Sequence, residues 1–501
     1  MNKEQLTEII SNCKKIITTN ADIKELQNQI PQYSWILLLK LFDYYEKDRK
    51  LLDKNFVSGI PEKFQWNNWT NDAGDNSLTG KSLENFVDDE LLPALGALKL
   101  EPGAESRKVI SYAFTNFKQR LPGTAIRLII EEIDKIKFDN ETISILRDIY
   151  TSELLDWANN AEKYAYFFTP RPICKFIVSV IKPNFKNNEK IFDPACGLGG
   201  FLLESYHYMK NDKKQTDDTK KLEYFSLVGQ DKDANYYLCC ALNMMLNEIK
   251  TLNISKLNSL ERSTDDIPPE GEYEIVMSNP SFNEKEKKTI ADNLPLDVRT
   301  SKTALHFLYL AMEELKDKGR GAIIVPSTVL FLHGKTDNLK LKLLEKFNLH
   351  TIVQLPKSIF APRTGIDTFI LFFEKGTPTK EIWFYDLPLP KRLESDDPKK
   401  KTKTLSFSKN KPVLDEDFAE ALKWFEHKVE NDYAWKVSVD ELKTENDGKI
   451  EVNLDIKNPN IVDEPIELSP HELIDTILND EEKTLELLRD VKELIQKEIP
   501  K

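Results

Sequence analysis

The stretch Asn279-Pro280-Ser281-Phe282 has residue types suited to a specific piece of chemistry. It follows Ile275-Val276-Met277-Ser278, an apolar run with the composition of a buried strand. An exocyclic amine on an aromatic ring is a poor nucleophile, because its lone pair is delocalised into the ring. Two carbonyl groups that accept both of its N–H bonds favour a pyramidal nitrogen with a usable lone pair. Asn279 Oδ1 and the Pro280 carbonyl could supply those acceptors, and Phe282 could stack on the same ring. The lone pair would then point at an electrophilic methyl group, so catalysis would be mostly orientation and electrostatics. Taken alone, the tetrapeptide reads as an Asn-Pro turn; its place after two further motifs is what favours chemistry.

The first of these is Ile191-Phe192-Asp193-Pro194-Ala195-Cys196-Gly197-Leu198-Gly199-Gly200-Phe201-Leu202. A strand should end at Asp193, a Gly-rich turn should follow, and a helix should begin near Phe201. Glycines let the backbone approach a ligand where a Cβ would collide, and ligands of open α/β sheets bind beyond the C-terminal strand ends. The spacing Gly197-x-Gly199-Gly200 brings the third glycine too early for a dinucleotide fingerprint. The second motif is Leu227-Val228-Gly229-Gln230-Asp231. An acidic residue ending the next strand can accept hydrogen bonds from both ribose hydroxyls of a nucleoside cofactor. Upstream, Tyr166-Phe167-Phe168-Thr169-Pro170-Arg171-Pro172 reads either as a bend whose aromatics wall a cofactor or as an ordinary domain-entry turn. Gly74 to Ser82 superficially suggests a phosphate-binding loop. Five residues rather than four separate Gly74 from Gly80, and no strand precedes them. His306 and His333 read as structural.

The elements that must position these residues divide the chain. Residues 1–155 read as a helical domain, with Tyr33 to Tyr45 as a strongly apolar helix core and further helical spacing at 82–86 and from Ala125 to Ile149. From about Phe167, short apolar runs alternate with helical stretches. The runs lie at 190–193, 226–231, 273–277, 321–326, 349–355 and 368–373. Buried runs separated by helices imply a mostly parallel sheet, hence an α/β domain over 156–405. The Pro- and charge-rich stretch 388–403 reads as a linker. Residues 406–501 read as a C-terminal helical extension for subunit assembly, with helices at 415–430 and 468–499.

A chain of 501 residues exceeds the size of one growing core and suggests two or three domains. With 40% hydrophobic and 31% charged residues it reads as globular. No apolar run is long enough for a membrane span, and Met1-Asn2-Lys3-Glu4-Gln5 opens a polar stretch unlike a signal peptide. Five cysteines without C-x-x-C spacing argue against a disulfide framework or a zinc site, and for a reducing cytoplasm. The net charge of −13 does not suit a free-standing nucleic-acid binder, since Lys and Arg supply most affinity for phosphates. A nucleic-acid substrate would require a partner that contributes much of the grip.

Placed in order, these stretches resemble the modification (M) subunit of type I restriction–modification systems, an N6-adenine DNA methyltransferase. Phe168-Thr169-Pro170-Arg171 resembles the family's FTPR segment, Asp193 to Leu202 its DPACGTGGFL turn, and Asn279 to Phe282 its NPPF. Leu315 to Ala322, Val325 to Phe331, Leu355 to Phe360 and the closing Asn453 to Pro459 are also similar, so the likeness covers most of the chain. The resemblance implies a Rossmann-like S-adenosylmethionine-dependent methyltransferase domain between a helical N-terminal domain and a helical C-terminal tail. It implies cofactor contacts at Phe168, Thr169, Pro170, Arg171, Asp193, Gly197, Leu198, Gly199, Gly200, Asp231 and Asn258, and catalytic roles for Asn279, Pro280 and Phe282. It implies DNA as substrate, with a second M copy, a specificity (S) subunit that reads the sequence, and a restriction (R) subunit. No metal is implied. Four positions depart from the family pattern: Leu198 for Thr, Asp231 for Glu, Asn258 for Asp, and Ser281 for the second proline. Both acceptors survive the last change, although Ser281 lacks a proline's fixed φ. Two other readings share the motifs: methylation of a protein glutamine amide, and a cofactor-binding scaffold with little turnover.

Overall fold

Alternation along the central strands sets the architecture. In β4 (Tyr273–Ser278), Ile275 and Met277 pack into one apolar cluster while Val276 packs into another. In β5 (Leu315–Pro326), Ala322 and Ile324 face the first cluster, and Ile323 and Val325 the second. Successive strand residues point to opposite faces, so a strand apolar at every position must be covered on both. The computed structural model describes residues 1–52, 56–71, 78–99, 105–160, 168–211, 226–250, 252–282, 287–360, 365–393, 406–408 and 410–460, with scattered positions between 474 and 489.

The strands of the main sheet are β1 (Ile191–Asp193), β2 (Leu227–Asp231), β3 (Asn253–Lys256), β4, β5, β6 (Phe347–Leu355), β7 (Thr368–Lys375), β8 (Glu381–Asp386) and β9 (Ala434–Ser438). Their spatial order is β3-β2-β1-β4-β5-β7-β6-β8-β9. Pairing is parallel from β3 through β5 and between β6 and β8. Strand β7 runs antiparallel between β5 and β6, and β9 antiparallel at the edge. This is the α/β arrangement expected, with two antiparallel strands added. Asp193 pairs with Gly229, so Asp231 reaches two residues beyond it at the same sheet end.

The helical segment includes α1 (Lys3–Ala21), α2 (Leu26–Leu52), α3 (Glu105–Phe114), α4 (Gly123–Asp134) and α5 (Asn140–Asn160). In α1 an Asn2–Gln5 capping box starts the helix, and Leu6, Ile9, Ile10, Cys13 and Ile17 form its buried stripe. The helical spacing from Ala125 to Ile149 falls in two helices, α4 and α5. The α/β part carries α6 (Arg171–Ile181), α7 (Gly200–Asn211), α8 (Ala234–Leu246), α9 (Thr303–Glu314) and α10 (Lys335–Lys346). Helices α2, α3 and α5 pack on α8, so the helical segment lies directly against the first half of the sheet. Trp157 of α5 stacks on Tyr236 of α8 at 5.2 Å.

Residues 1–457 form one compact unit, and the sequence-based boundaries at 155 and 405 fall inside it; 458–501 form a second. Among the described residues from 406 to 460, helix is sparser than expected. The stretch 415–430 yields one helical turn (Asp415–Phe418) and α11 (Ala419–Glu426), and the chain then forms β9 and a hairpin of β10 (Lys443–Asn446) and β11 (Lys449–Val452). β10 alternates Lys, Thr, Glu and Asn, so it has no apolar face to betray it as a strand. Most of 468–499 lies outside the described residues, as do much of the 388–403 linker, Tyr166, Phe167 and Gly74. Gly80 and Ser82 open a short helix in which Lys81 pairs with Glu84. No described helix is long and apolar enough to cross a membrane.

Candidate active site

Strands β1, β2 and β4 deliver their terminal residues to one edge of the sheet. Asp193 is 1% exposed, and its Oδ1 accepts the Ala195 N–H at 3.1 Å and the Ser278 hydroxyl at 2.9 Å. Burial pushes its carboxyl up to about 7, against those two donors and with the charge of Asp231. Asp231 accepts the Gly197 N–H at 3.0 Å on Oδ2 and the Asp233 N–H at 2.9 Å on Oδ1. Its carboxyl is raised to about 6, again chiefly by burial. Each oxygen has a second lone pair, so Asp231 can hold its turn and still accept a hydroxyl. Asp233 caps α8 through Asn235 and Tyr236 N–H groups.

The Gly-rich turn packs closely against neighbouring helices. Gly199 has φ +83°, and a Cβ there would lie 2.9 Å from Cys240 Sγ. A Cβ on Gly200 would lie 3.0 Å from Cys174 Sγ. Cysteine side chains of α8 and α6 therefore crowd a Cβ at both positions. All five cysteines are buried free thiols, and three of them (Cys174, Cys196, Cys240) pack around this turn and its neighbour Gly229.

Two cavities flank the turn, and Ala195 lines both. The first is bounded by Phe168, Thr169, Arg171, Asp193, Leu198, Gly200 and Asn279, with Thr151, Leu154 and Leu155 of α5 as a further wall. The second is bounded by Pro194, Asp231, Asn258, Ser259, Ser281 and Phe307. Of the residues expected at the site, Pro170, Gly197, Gly199, Pro280 and Phe282 lie outside both linings. Gly197 acts through its N–H to Asp231, and Pro170 caps α6. Phe282 is half-buried against the main apolar cluster rather than lining a cavity.

Asn279 is 6% exposed. Its Nδ2 donates to Thr169 Oγ1 at 2.9 Å, while its Oδ1 has no hydrogen-bond partner among the described residues. A buried carbonyl oxygen without a donor is costly unless a ligand supplies one. Arg171 pairs with Glu204 of α7, whose carboxyl is 8% exposed. Burial raises Glu204 and Arg171 opposes that shift. Asn258 Oδ1 accepts the Leu260 N–H at 3.2 Å, leaving its amide N–H groups at the second cavity.

Sequence reasoning missed several groups. The Ser259 hydroxyl lies 2.6 Å from both the Pro194 carbonyl and Gln230 Oε1, stitching the ends of β1, β2 and β3 together. Ser278 joins β4 to β1. His207 and Asn247 pair at 3.1 Å at the back of the first cavity. Of these, only Ser278 carried a sequence signal, as the residue just before Asn279. His306 contacts the Thr300 carbonyl and His333 pairs with Asp337, both away from the cavities.

This sheet order, with functional groups at the C-terminal edge of β1, β2 and β4, defines an α/β methyltransferase fold. Residues 141–464 match the N-6 DNA methylase family. Over 481 residues the chain is 34% identical to the type I restriction enzyme EcoEI methylase subunit of Escherichia coli, covering 94% of this chain and 93% of that one. A solved chain described as the modification subunit of a type I restriction enzyme from Vibrio vulnificus YJ016 is 30% identical, with a TM-score of 0.77 over 92% of this chain and 98% of that one. A chain solved in work on complex assembly and conformational transition of the type I R-M system is 28% identical, with a TM-score of 0.77 and full coverage of both. The chain belongs to the N-6 DNA methylase family, among the methylase subunits of type I restriction enzymes.

Proposed function

We propose that this chain transfers a methyl group from S-adenosylmethionine to N6 of adenine in DNA, as the modification subunit of a type I complex. The observation that carries the reading is the buried, unpaired Asn279 Oδ1 at the end of β4. It is an acceptor with no donor of its own, at the strand end where an adenine amine would be received. With the Pro280 carbonyl it takes both amine N–H groups and leaves the nitrogen lone pair free to attack. The target base must leave the duplex to reach this depth.

The residues present fit the cofactor. S-adenosylmethionine, when bound, supplies an electrophilic methyl group on a cationic sulfonium. Two carboxyl groups, the buried Asp193 and the partly buried Asp231, stand at the strand ends; burial raises both, and a cation placed beside them would favour their ionised forms. Asp231, Asn258 and Ser281 bound the cavity that suits an adenosine, and Asp231 would accept the ribose hydroxyls. Phe168, Arg171, Leu198 and Asp193 bound the cavity that suits the methionine portion. The net charge of −13 is consistent with a DNA grip supplied largely by a specificity subunit, within an assembly of two modification subunits that a restriction subunit joins for cleavage.

Purified chain assembled with its specificity subunit should transfer labelled methyl groups to duplex DNA and yield N6-methyladenine. Cofactor binding without transfer to DNA would overturn the reading, as would transfer to a protein glutamine amide instead.

A further inference from the structure

We infer that Thr169 is a positioning residue for transfer, its hydroxyl holding the Asn279 amide so that Oδ1 rather than Nδ2 faces the acceptor amine. The inference deepens the function proposed above and rests on it. A primary amide has two ends of nearly equal shape and opposite hydrogen-bonding sense. A half-turn about its last torsion would set N–H donors against the donors of the incoming amine. A hydroxyl can serve either end, so Thr169 anchors the amide at the strand end, and the donors of the incoming amine select the orientation in which Nδ2 is bonded to Thr169 and Oδ1 is free.

Thr169 Oγ1 is the partner that Asn279 Nδ2 finds, at 2.9 Å and across 110 residues of sequence. No second side-chain partner for Asn279 occurs among the described residues, since Oδ1 is unpaired. Thr169 is itself held. It precedes Pro170, which disfavours helical backbone at Thr169. The Pro170 carbonyl caps α6 by accepting the Ile173 N–H at 2.9 Å and the Cys174 N–H at 3.3 Å. Cys174 Sγ lies 3.9 Å from the Thr169 carbonyl. The amide at the end of β4 is thereby referenced to the start of α6. The FTPR-like segment then acts on the acceptor amine as well as on the cofactor cavity that it lines.

The test compares Thr169→Val, which keeps shape but removes the acceptor, with Thr169→Ser, which keeps the hydroxyl. Both are made in the full chain and assayed as the complex with the specificity subunit. Thr169→Val should lower kcat roughly tenfold to hundredfold. That loss should persist at saturating S-adenosylmethionine, whatever the change in cofactor affinity at a residue that also lines the cofactor cavity, and Thr169→Ser should recover kcat to within about threefold. Wild-type kcat in the valine variant would overturn the inference. So would a loss that disappears at saturating S-adenosylmethionine, or a serine variant as impaired as the valine. If the wild-type complex itself transfers nothing, the proposed function fails. The crystal structure of Thr169→Val then judges the amide alone: a displaced or two-position Asn279 side chain supports the inference, and an unchanged single position overturns it.

Discussion

Ser278 Oγ donates to Asp193 Oδ1 at 2.9 Å, tying the end of β4 to the end of β1 across 85 residues of sequence. The two side chains are 0% and 1% exposed. Because burial lifts the Asp193 carboxyl from 3.8 to about 7, the folded chain holds this proton more tightly than the unfolded chain does. The resulting stabilisation is complete below the unfolded value and is lost as pH rises through about 7. Asp193→Asn removes the titration and keeps an oxygen for Ser278. Between about pH 5 and 7.5 the melting temperature of wild type should fall by a few degrees more than that of the variant. Identical pH profiles in thermal unfolding would rule Asp193 out as the source.

Asn279→Ala deletes the unpaired acceptor and leaves the backbone of the strand end in place. Transfer to DNA should drop by roughly a hundredfold to a thousandfold, the range for losing one preorganised polar group at a reacting centre. Calorimetric affinity for S-adenosylmethionine should change by no more than about threefold. Equal loss of both would assign Asn279 to cofactor binding instead.

Much of the site is legible in sequence because strand-end chemistry is local. Asp193, Asp231 and Asn279 each follow an apolar run directly, so each could be placed on a strand end before any contact was known. What the sequence conceals is pairing between distant segments. The bonds from Thr169 to Asn279 and from Ser259 to Pro194 and Gln230 span 29 to 110 residues, and no periodicity encodes them. The close packing of Gly199 and Gly200 was hidden for the same reason, since Cys240 and Cys174 reach the turn from other helices. Strand β3 was hidden because Asn253-Ile254-Ser255-Lys256 carries one apolar residue, whereas β8, with Ile382-Trp383-Phe384-Tyr385, carries a run long enough to be legible.

Asp231 should make cofactor affinity depend on pH. Its carboxyl is raised to about 6, and only the ionised form offers acceptors on both oxygens beyond the backbone N–H groups it already holds. Affinity for S-adenosylmethionine should therefore weaken as pH falls through about 6. Asp231→Asn should bind roughly tenfold or more weakly at pH 7.5, with a flatter profile below it. A variant that retains the wild-type midpoint would place the titrating group elsewhere, with Asp193 the first alternative.

Gly199→Ala should damage the turn in two separable ways. A residue with a Cβ at φ +83° is strained, at a cost of about 1–2 kcal/mol. The added Cβ also meets Cys240 Sγ at 2.9 Å, closer than atoms normally approach. Cys240→Ala in the same chain removes the sulfur and leaves the strain. The double variant should accordingly regain part of the stability lost by Gly199→Ala and remain below Cys240→Ala alone. Denaturant unfolding of the three variants and wild type measures both parts as a double-mutant cycle. Strict additivity would show that the sulfur contact costs nothing, and that backbone conformation alone requires glycine in the turn.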